Sequence, residues 1–368
     1  MREVALAGPR GQEAPGGSVE PDDEELRGHA ARARLLTRAS DEAQRAALDR
    51  LRPAPYGCAA LPSVSVIVPT YNCAAFLDES LGSVLPQVPA DGEVVVVDDG
   101  STDDTERVLA GYGERIRVVR IPHGGLAAAR NAGLAAARGD WIAFHDADDV
   151  ALPDRVAFQL DFVARDPACD GVFANGARVD EAGRPLARGE PNVVSAALAR
   201  ACAGRPLTER DVFAGFPVFF QAALLRRSLC LRAGELDSSL CIYPDLEYGY
   251  RVIGAGRVLF VDRVVFRYRL HTTNITRDRL GGREELACIL DRIVEHDPEM
   301  AARIGTRQLR ARLARHYHSI ARQHWRQGDE TRGDSAISRA VDLRPLDIRY
   351  RLTRRLRRAA REPDQTRS

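Results

Sequence analysis

The chain has 368 residues, 45% of them hydrophobic, enough to bury a substantial core and to build two or three domains. Its 53 basic and 52 acidic residues leave a net charge of +1, so charge gives no reason to expect nucleic acid or an acidic partner. There is no lysine, and the seven scattered cysteines contain no Cys-x-x-Cys pair, so neither a zinc site nor a disulfide framework is indicated and a reducing cytoplasm fits best.

Residues 1–60 read as an N-terminal extension: a Gly/Pro/acid-rich stretch to 23, an Ala/Arg/Leu-rich helix over 24–52, and a "RPAPYG" linker. The first residues lack the apolar core of a signal peptide. The least polar long stretch, 212–225, is shorter than the roughly 18–20 apolar residues a membrane span needs, so the chain is not expected to cross a bilayer.

From Leu61 the pattern becomes strand, helix, strand, helix, which predicts an α/β fold with a mostly parallel sheet flanked by helices. The expected strands are "VSVIV" (64–68), "EVVVV" (93–97), "IRVVR" (116–120) and "WIAFH" (141–145), apolar throughout, as strands covered on both faces are. Ser101 and Thr102 stand as candidate helix caps, and Gly124 and Gly125 precede an Ala-rich helix. After 176 the pattern blurs. Two further strands are expected at "RVLFVD" (257–262) and "VVFRYRL" (264–270), and "FPVFFQAALLRR" (216–227) reads as packing. From about 283 onward the patterning is helical, and 317–345 has the spacing of one tetratricopeptide-like helix-turn-helix, too little to establish an array.

Ligands of an open parallel sheet bind beyond the carboxyl ends of its strands. Three polar clusters fall there: "PTYN" (69–72), "DDGS" (98–101) and "DADD" (146–149). Asp98 and Asp99 could serve helix entry and Asp149 could cap a helix before Pro153, but Asp146 and Asp148 are left without a structural task.

The segments "PSVSVIVPTYNCAAFLDESLGSVL", "VVVVDDGSTDDT", "GGLAAARNAGLAAARGDWIAFHDADD" and "LPDRV" together resemble the nucleotide-binding half of family 2 glycosyltransferases, which have the GT-A fold. The resemblance runs from about 62 to 275. It implies a glycosyltransferase domain over 61–275, with a nucleotide-binding half (61–175) and an acceptor half (176–275), followed by a helical region over 276–368. It also implies an inverting transfer from a nucleotide-diphosphate sugar to a hydroxyl acceptor on a glycan or lipid, in polysaccharide, glycolipid or cell-envelope glycan synthesis.

By the same resemblance, Pro69 and Tyr71 would flank the base and Asp99 would bond its edge. Asp146 and Asp148 would be the two acids of an Asp-x-Asp element, Asp148 nearest a divalent metal and Asp146 toward ribose or the metal shell. Such an oxygen-rich set suits Mn²⁺ or Mg²⁺. Gly125 would allow close approach to phosphate. Arg130 would touch the ligand, or else be an exposed helix residue or an ion-pair partner of an acid. His271 would approach the metal or diphosphate, or simply end a strand. Asp245 aligns with the family's catalytic base, although Pro244 stands where Glu is usual and Glu247 is a rival.

Residues 344–361 hold eight arginines and one acid, with Ile348, Leu352, Leu356 and Ala360 at i, i+4 spacing. This basic amphipathic helix would cover a neighbouring helix with its apolar stripe, or lie on the inner face of a membrane near lipid-linked acceptors. Two other functions compete. A nucleotidyltransferase would want a Gly-rich loop with a basic residue after the first strand, where "PTYNCAAF" has neither. A catalytically silent GT-A-fold scaffold would have no reason to keep Asp99, Asp146, Asp148 and Asp245 together. No Gly-x-Gly-x-x-Gly follows a strand, which excludes a dinucleotide-binding oxidoreductase.

Overall fold

The computed structural model describes residues 63–186, 191–272 and 278–359. The expected N-terminal helix, the linker and residues 360–361 lie outside them. Strands β1 (Val64–Thr70), β2 (Glu93–Asp98), β3 (Arg117–Arg120) and β4 (Trp141–Phe144) alternate with helices α1 (Ala74–Val84), α2 (Thr105–Ala110) and α3 (Gly125–Ala136). β1 pairs in parallel with β2 and β4, and β2 with β3.

Every residue of β1 is buried because the strand is covered on both faces. Val66, Val68, Val94 and Val96 enter one core with α1, while Ile67, Val95 and Val97 enter the other beneath α3. Gly133 lets α3 sit close to the sheet, since a Cβ there would come within 2.3 Å of Ile67 Cγ2.

Beyond β4 the sheet turns mixed. β5 (Val150–Ala151), α4 (Arg155–Ala164), β6 (Gly171–Asp180), α5 (Ala196–Cys202), α6 (Glu209–Ala214), β7 (Ala223–Arg226), α7 (Arg227–Ala233), α8 (Pro244–Ala255) and β8 (Val258–Leu270) complete an eight-stranded sheet of order β3-β2-β1-β4-β7-β6-β8-β5. β7 runs antiparallel to β4 and β6, and β5 antiparallel to β8, whereas β6 and β8 are parallel. The stretch read as packing does supply core residues Phe216 and Phe220, and it also contains β7.

The two strands expected at 257–262 and 264–270 are one strand, β8. Arg263, which falls between the two expected strands, lies within it. Asn175 Nδ2 donates to Asp262 Oδ1 at 2.7 Å, and register shifts around Asn175 absorb the irregularity.

The tail is helical: α9 (Arg279–His296), α10 (Pro298–Ile304), α11 (Thr306–Arg326), α12 (Glu330–Leu343) and α13 (Ile348–Ala359). α11 and α12 form the expected helix-turn-helix, turning at Gly328 with φ +82°. Gly333 makes room for Trp325, which a Cβ would approach to 2.3 Å. Leu309, Leu313 and Ile337 belong to the same apolar cluster as Ile67 and Val97, so one core runs from the sheet into these helices.

Candidate active site

Parallel pairing in register brings the ends of β1, β2 and β4 together: Thr70 faces Asp98, and Ile67 faces Phe144. Asn72, in the left-handed region at φ 50°, ties the first loop to the second. Its Oδ1 accepts from Thr102 N at 2.8 Å and Asp103 N at 3.3 Å, and its N–H donates to Ser101 Oγ at 3.0 Å. Ser101 and Thr102 are therefore not helix caps. α2 begins three residues later, at Thr105. The reason is competition: their polar groups are used between loops before the helix starts.

At this corner Asp99 is buried, and its carboxylate accepts from Gly124 N at 2.8 Å and Gly125 N at 2.9 Å. Gly125 has φ +85°, a conformation that favours glycine, and it opens α3. Tyr71 is 42% exposed, while Pro69 is buried within β1. His123, which sequence reasoning passed over, stacks on Tyr71 with centroids 4.0 Å apart and lies 2.9 Å from Asp99 Oδ2. Its only sequence signal is its place directly before the glycine pair.

One carboxylate oxygen each from Asp146, Asp148 and Asp149 lies within 4.8 Å of the others. Asp149 is fully buried, accepting from Arg269 N at 3.0 Å and Gln221 Nε2 at 3.3 Å. It does not cap a helix. α4 begins at Arg155 behind Asp154, and Asp149 instead braces the loop against β8. Burial, then Asp148 and Asp146, hold its carboxyl well above the usual range.

Asp146 and Asp148 keep 22% and 23% of their side-chain surface exposed. Burial and Asp146 raise the Asp148 carboxyl, against the pull of His271, whose Nε2 sits 2.9 Å from Asp148 Oδ2. Three carboxylates converging within 4.8 Å, two of them open and with an imidazole beside them, are an oxygen-rich donor set that fits a divalent cation.

Buried cations frame this loop. Arg269 Nε donates to Asp148 O at 2.9 Å, and its Nη2 pairs with Glu79 at 2.6 Å. Arg155, from "LPDRV", donates through Nη2 to Phe144 O at 2.7 Å. His145 faces Ser80 Oγ at 3.0 Å, and burial followed by Arg155 pushes its imidazole down to about 3. Ser80 in turn donates to Asp146 O at 3.2 Å.

Asp245 enters from the second half. Pro244 is the first residue of α8 and Asp245 lies in its first turn, the order that a fixed proline φ and the helix dipole favour. Arg130, on α3, has no exposed surface, so it is not a surface helix residue. Its Nη2 pairs with Asp146 Oδ1 at 2.7 Å and its Nη1 with Asp245 Oδ1. One guanidinium thus joins a loop acid of β4 to the helix acid of α8. Burial pushes the Asp245 carboxyl up to about 6, Arg130 opposing and Asp146 adding to the shift. Glu247 is engaged elsewhere, with Oε2 2.6 Å from Arg251 Nη2.

A groove of about 610 Å³ lies among the C-terminal helices, lined by residues that include Asp291, Glu295, Tyr317 and Arg339. Those groups already pair with one another, Tyr317 Oη donating to Asp291 at 2.6 Å and Arg339 bridging Asp291 and Glu295. The acidic cluster after β4, by contrast, keeps Asp146 and Asp148 partly open to solvent.

Residues 65–224 match the sequence model of glycosyl transferase family 2. An uncharacterized glycosyltransferase of Rickettsia prowazekii is 26% identical over 230 residues, 61% of this chain and 69% of the relative. Chondroitin synthase of Pasteurella multocida is 36% identical over 132 residues, 35% of this chain but only 14% of the relative. Among solved structures, S. aureus TarS 1-349 aligns with a TM-score of 0.58 at 21% identity, covering 77% of this chain and 81% of that one. A mannosyltransferase from Pyrobaculum calidifontis, in complex with GDP-Man and Mn²⁺, aligns with a TM-score of 0.52 at 21% identity, covering 86% of each chain. At such identities the structural likeness establishes the fold.

Proposed function

Because this chain carries a family 2 glycosyltransferase domain over residues 65–224 on a GT-A-type fold, we propose that it moves a sugar from a nucleotide-diphosphate donor to a hydroxyl acceptor, inverting the anomeric centre. The observation that carries the reading is the Asp146–Arg130–Asp245 bridge, which sets a candidate general base beside the acidic cluster. Residues 61–175 would hold the donor and 176–275 the acceptor. The likeness to chondroitin synthase supports glycan synthesis as the setting, and the unpaired described cysteines support a reducing, cytoplasmic one.

Tyr71 offers an exposed ring for the base, and Asp99 a fixed carboxylate for its edge. At the start of α3, Gly125 has its N–H on Asp99 and carries no side chain, which would let a phosphate approach that turn closely. Asp146 and Asp148, with His271 beside them, would hold Mn²⁺ or Mg²⁺, which would neutralise charge growing on the departing diphosphate. The complex of the Pyrobaculum relative with Mn²⁺ supports this assignment.

Asp245 takes the proton of the acceptor hydroxyl. The freed oxygen attacks the anomeric carbon from the face opposite the diphosphate, forming the new glycosidic bond as the old bond to phosphate oxygen breaks. A carboxyl pushed up to about 6 is a stronger base than an ordinary aspartate and is still ionised at pH 7. Arg130 fixes one of its oxygens, which orients the carboxylate and leaves the role of base to the other. Glu247, chelated by Arg251, is the weaker candidate.

The test is thermal stabilisation by a panel of nucleoside diphosphates and their sugars, with and without Mn²⁺, beside Asp148→Ala. A metal-dependent response to one diphosphate, absent in the variant, is expected. Silence from folded protein to every member would overturn the reading.

A further inference from the structure

α13 is packed the wrong way round for a water-soluble helix. Its inner side is held by Tyr350, 2% exposed and 5.3 Å from the His318 ring, and by Arg357, whose guanidinium lies 4.8 Å over Trp325. The apolar stripe points outward. Ile348 is 75% exposed, Leu352 51% and Leu356 60%, and Leu346 just before the helix is 92% exposed. The other large exposed hydrophobics among the described residues are Tyr71 and Leu231, so most of the outward apolar surface gathers on this one segment.

Positions 348, 352 and 356 share one helical face, and Arg351 and Arg355, both exposed, fall along its flank at the helical repeat of about 100° per residue. Asp347, the one acid of 344–361, is taken by Arg349 at 2.8 Å. Among the described residues no carboxylate makes an ion pair with Arg351, Arg354 or Arg355. The face therefore combines a leucine-isoleucine centre with unneutralised guanidinium groups. Pairing with a second copy would bring arginines against arginines. A surface that is apolar beneath and anionic at its rim satisfies both components, the long arginine stems reaching up to phosphate while the stripe enters the acyl boundary.

We propose that Leu346–Leu356 docks this protein on an anionic lipid surface, α13 lying in the plane of the interface. Ile348, Leu352 and Leu356 insert, and Arg351 and Arg355 bind lipid phosphate. No described helix is long and apolar enough to cross a membrane, so the attachment is peripheral and reversible. The inference is independent of the transfer chemistry.

The experiment is co-sedimentation of the full chain with vesicles of phosphatidylcholine alone and of phosphatidylcholine with phosphatidylglycerol, across a salt series, with light scattering of the free protein. Binding should require phosphatidylglycerol and weaken as salt rises. The double variant L352E/L356E should lose vesicle binding while its melting temperature stays unchanged, because both side chains are exposed. Arg351→Gln with Arg355→Gln should weaken binding roughly tenfold or more and flatten the salt dependence. Three outcomes overturn the proposal: no vesicle binding by the unaltered chain, vesicle binding that survives L352E/L356E, or a dimer in solution that L352E/L356E dissolves.

Discussion

The two halves of the candidate site are built by different means. In the half proposed to hold the donor, β1, β2 and β4 deliver their loops side by side through parallel register, and bonds from backbone N–H groups to the Asn72 and Asp99 side chains hold them. In the half proposed to hold the acceptor, Asp245 arrives on a helix that packs against a mixed sheet and pairs with Arg130, 115 residues earlier in the chain. A corner made by backbone register and by two acceptor side chains, Asn72 and Asp99, spreads its dependence over several bonds. One made by a buried charge depends on a single residue.

That contrast can be broken from the acceptor side first. Asp245→Asn should lower turnover about 10²–10⁴-fold with nucleotide binding intact, the usual span of general-base help, while Glu247→Gln costs far less. Steady-state kinetics beside nucleotide titration checks both. The sign with pH follows from the raised carboxyl: kcat/KM should climb as pH rises through about 6 and level off above it, and Asp245→Asn should abolish that limb.

Arg130→Met comes next. It leaves Asp146 and Asp245 facing each other without their shared cation, and breaking a buried pair costs about 3–5 kcal/mol. Denaturant unfolding should show the loss. Arg130→Lys should recover little, because a point charge cannot bridge two carboxylates as the planar fork does.

On the donor side, Asp148→Ala should remove the metal-dependent part of diphosphate stabilisation, about 2.7 kcal/mol at a hundredfold excess of ligand over its Kd. A response that persists would move the metal off this cluster. The smallest effect belongs to His123→Ala, which loses a ring stack worth about 0.5–1.5 kcal/mol at Tyr71 and should change nucleotide affinity by no more than about tenfold. A loss as large as that of Asp148→Ala would show that the donor corner, too, hangs on one residue.

Stability toward acid offers a different cut across the comparison. His145 is held neutral, its imidazole depressed from 6.5 to about 3 by burial and Arg155. The unfolded chain takes up this proton first, so the contribution is whole above pH 6.5 and fades as pH falls from there toward 3. Melting temperature against pH should flatten over that window in a folded His145→Gln variant.

The amino-acid sequence by itself determined the parallel half. Short unbroken runs of valine and isoleucine between turn signals read as strands covered on both faces, and acids placed directly after parallel strands meet at their carboxyl ends, so Asp99, Asp146 and Asp148 were legible together. The order of proline and acid at 244–245 likewise announced a helix start, because proline's fixed φ and the helix dipole act locally. Tertiary structure alone decided what depends on partners far along the chain. It turned Arg130 from a helix residue of open role into a fully buried bridge and gave Asp149 to Arg269 and Gln221 instead of a helix cap. It fused two expected strands into β8, and it pointed the stripe of α13 outward. Periodicity reports which residues share a face, but which way a face points depends on what packs behind it. Here His318 and Trp325, packing on Tyr350 and Arg357, captured the opposite side of α13.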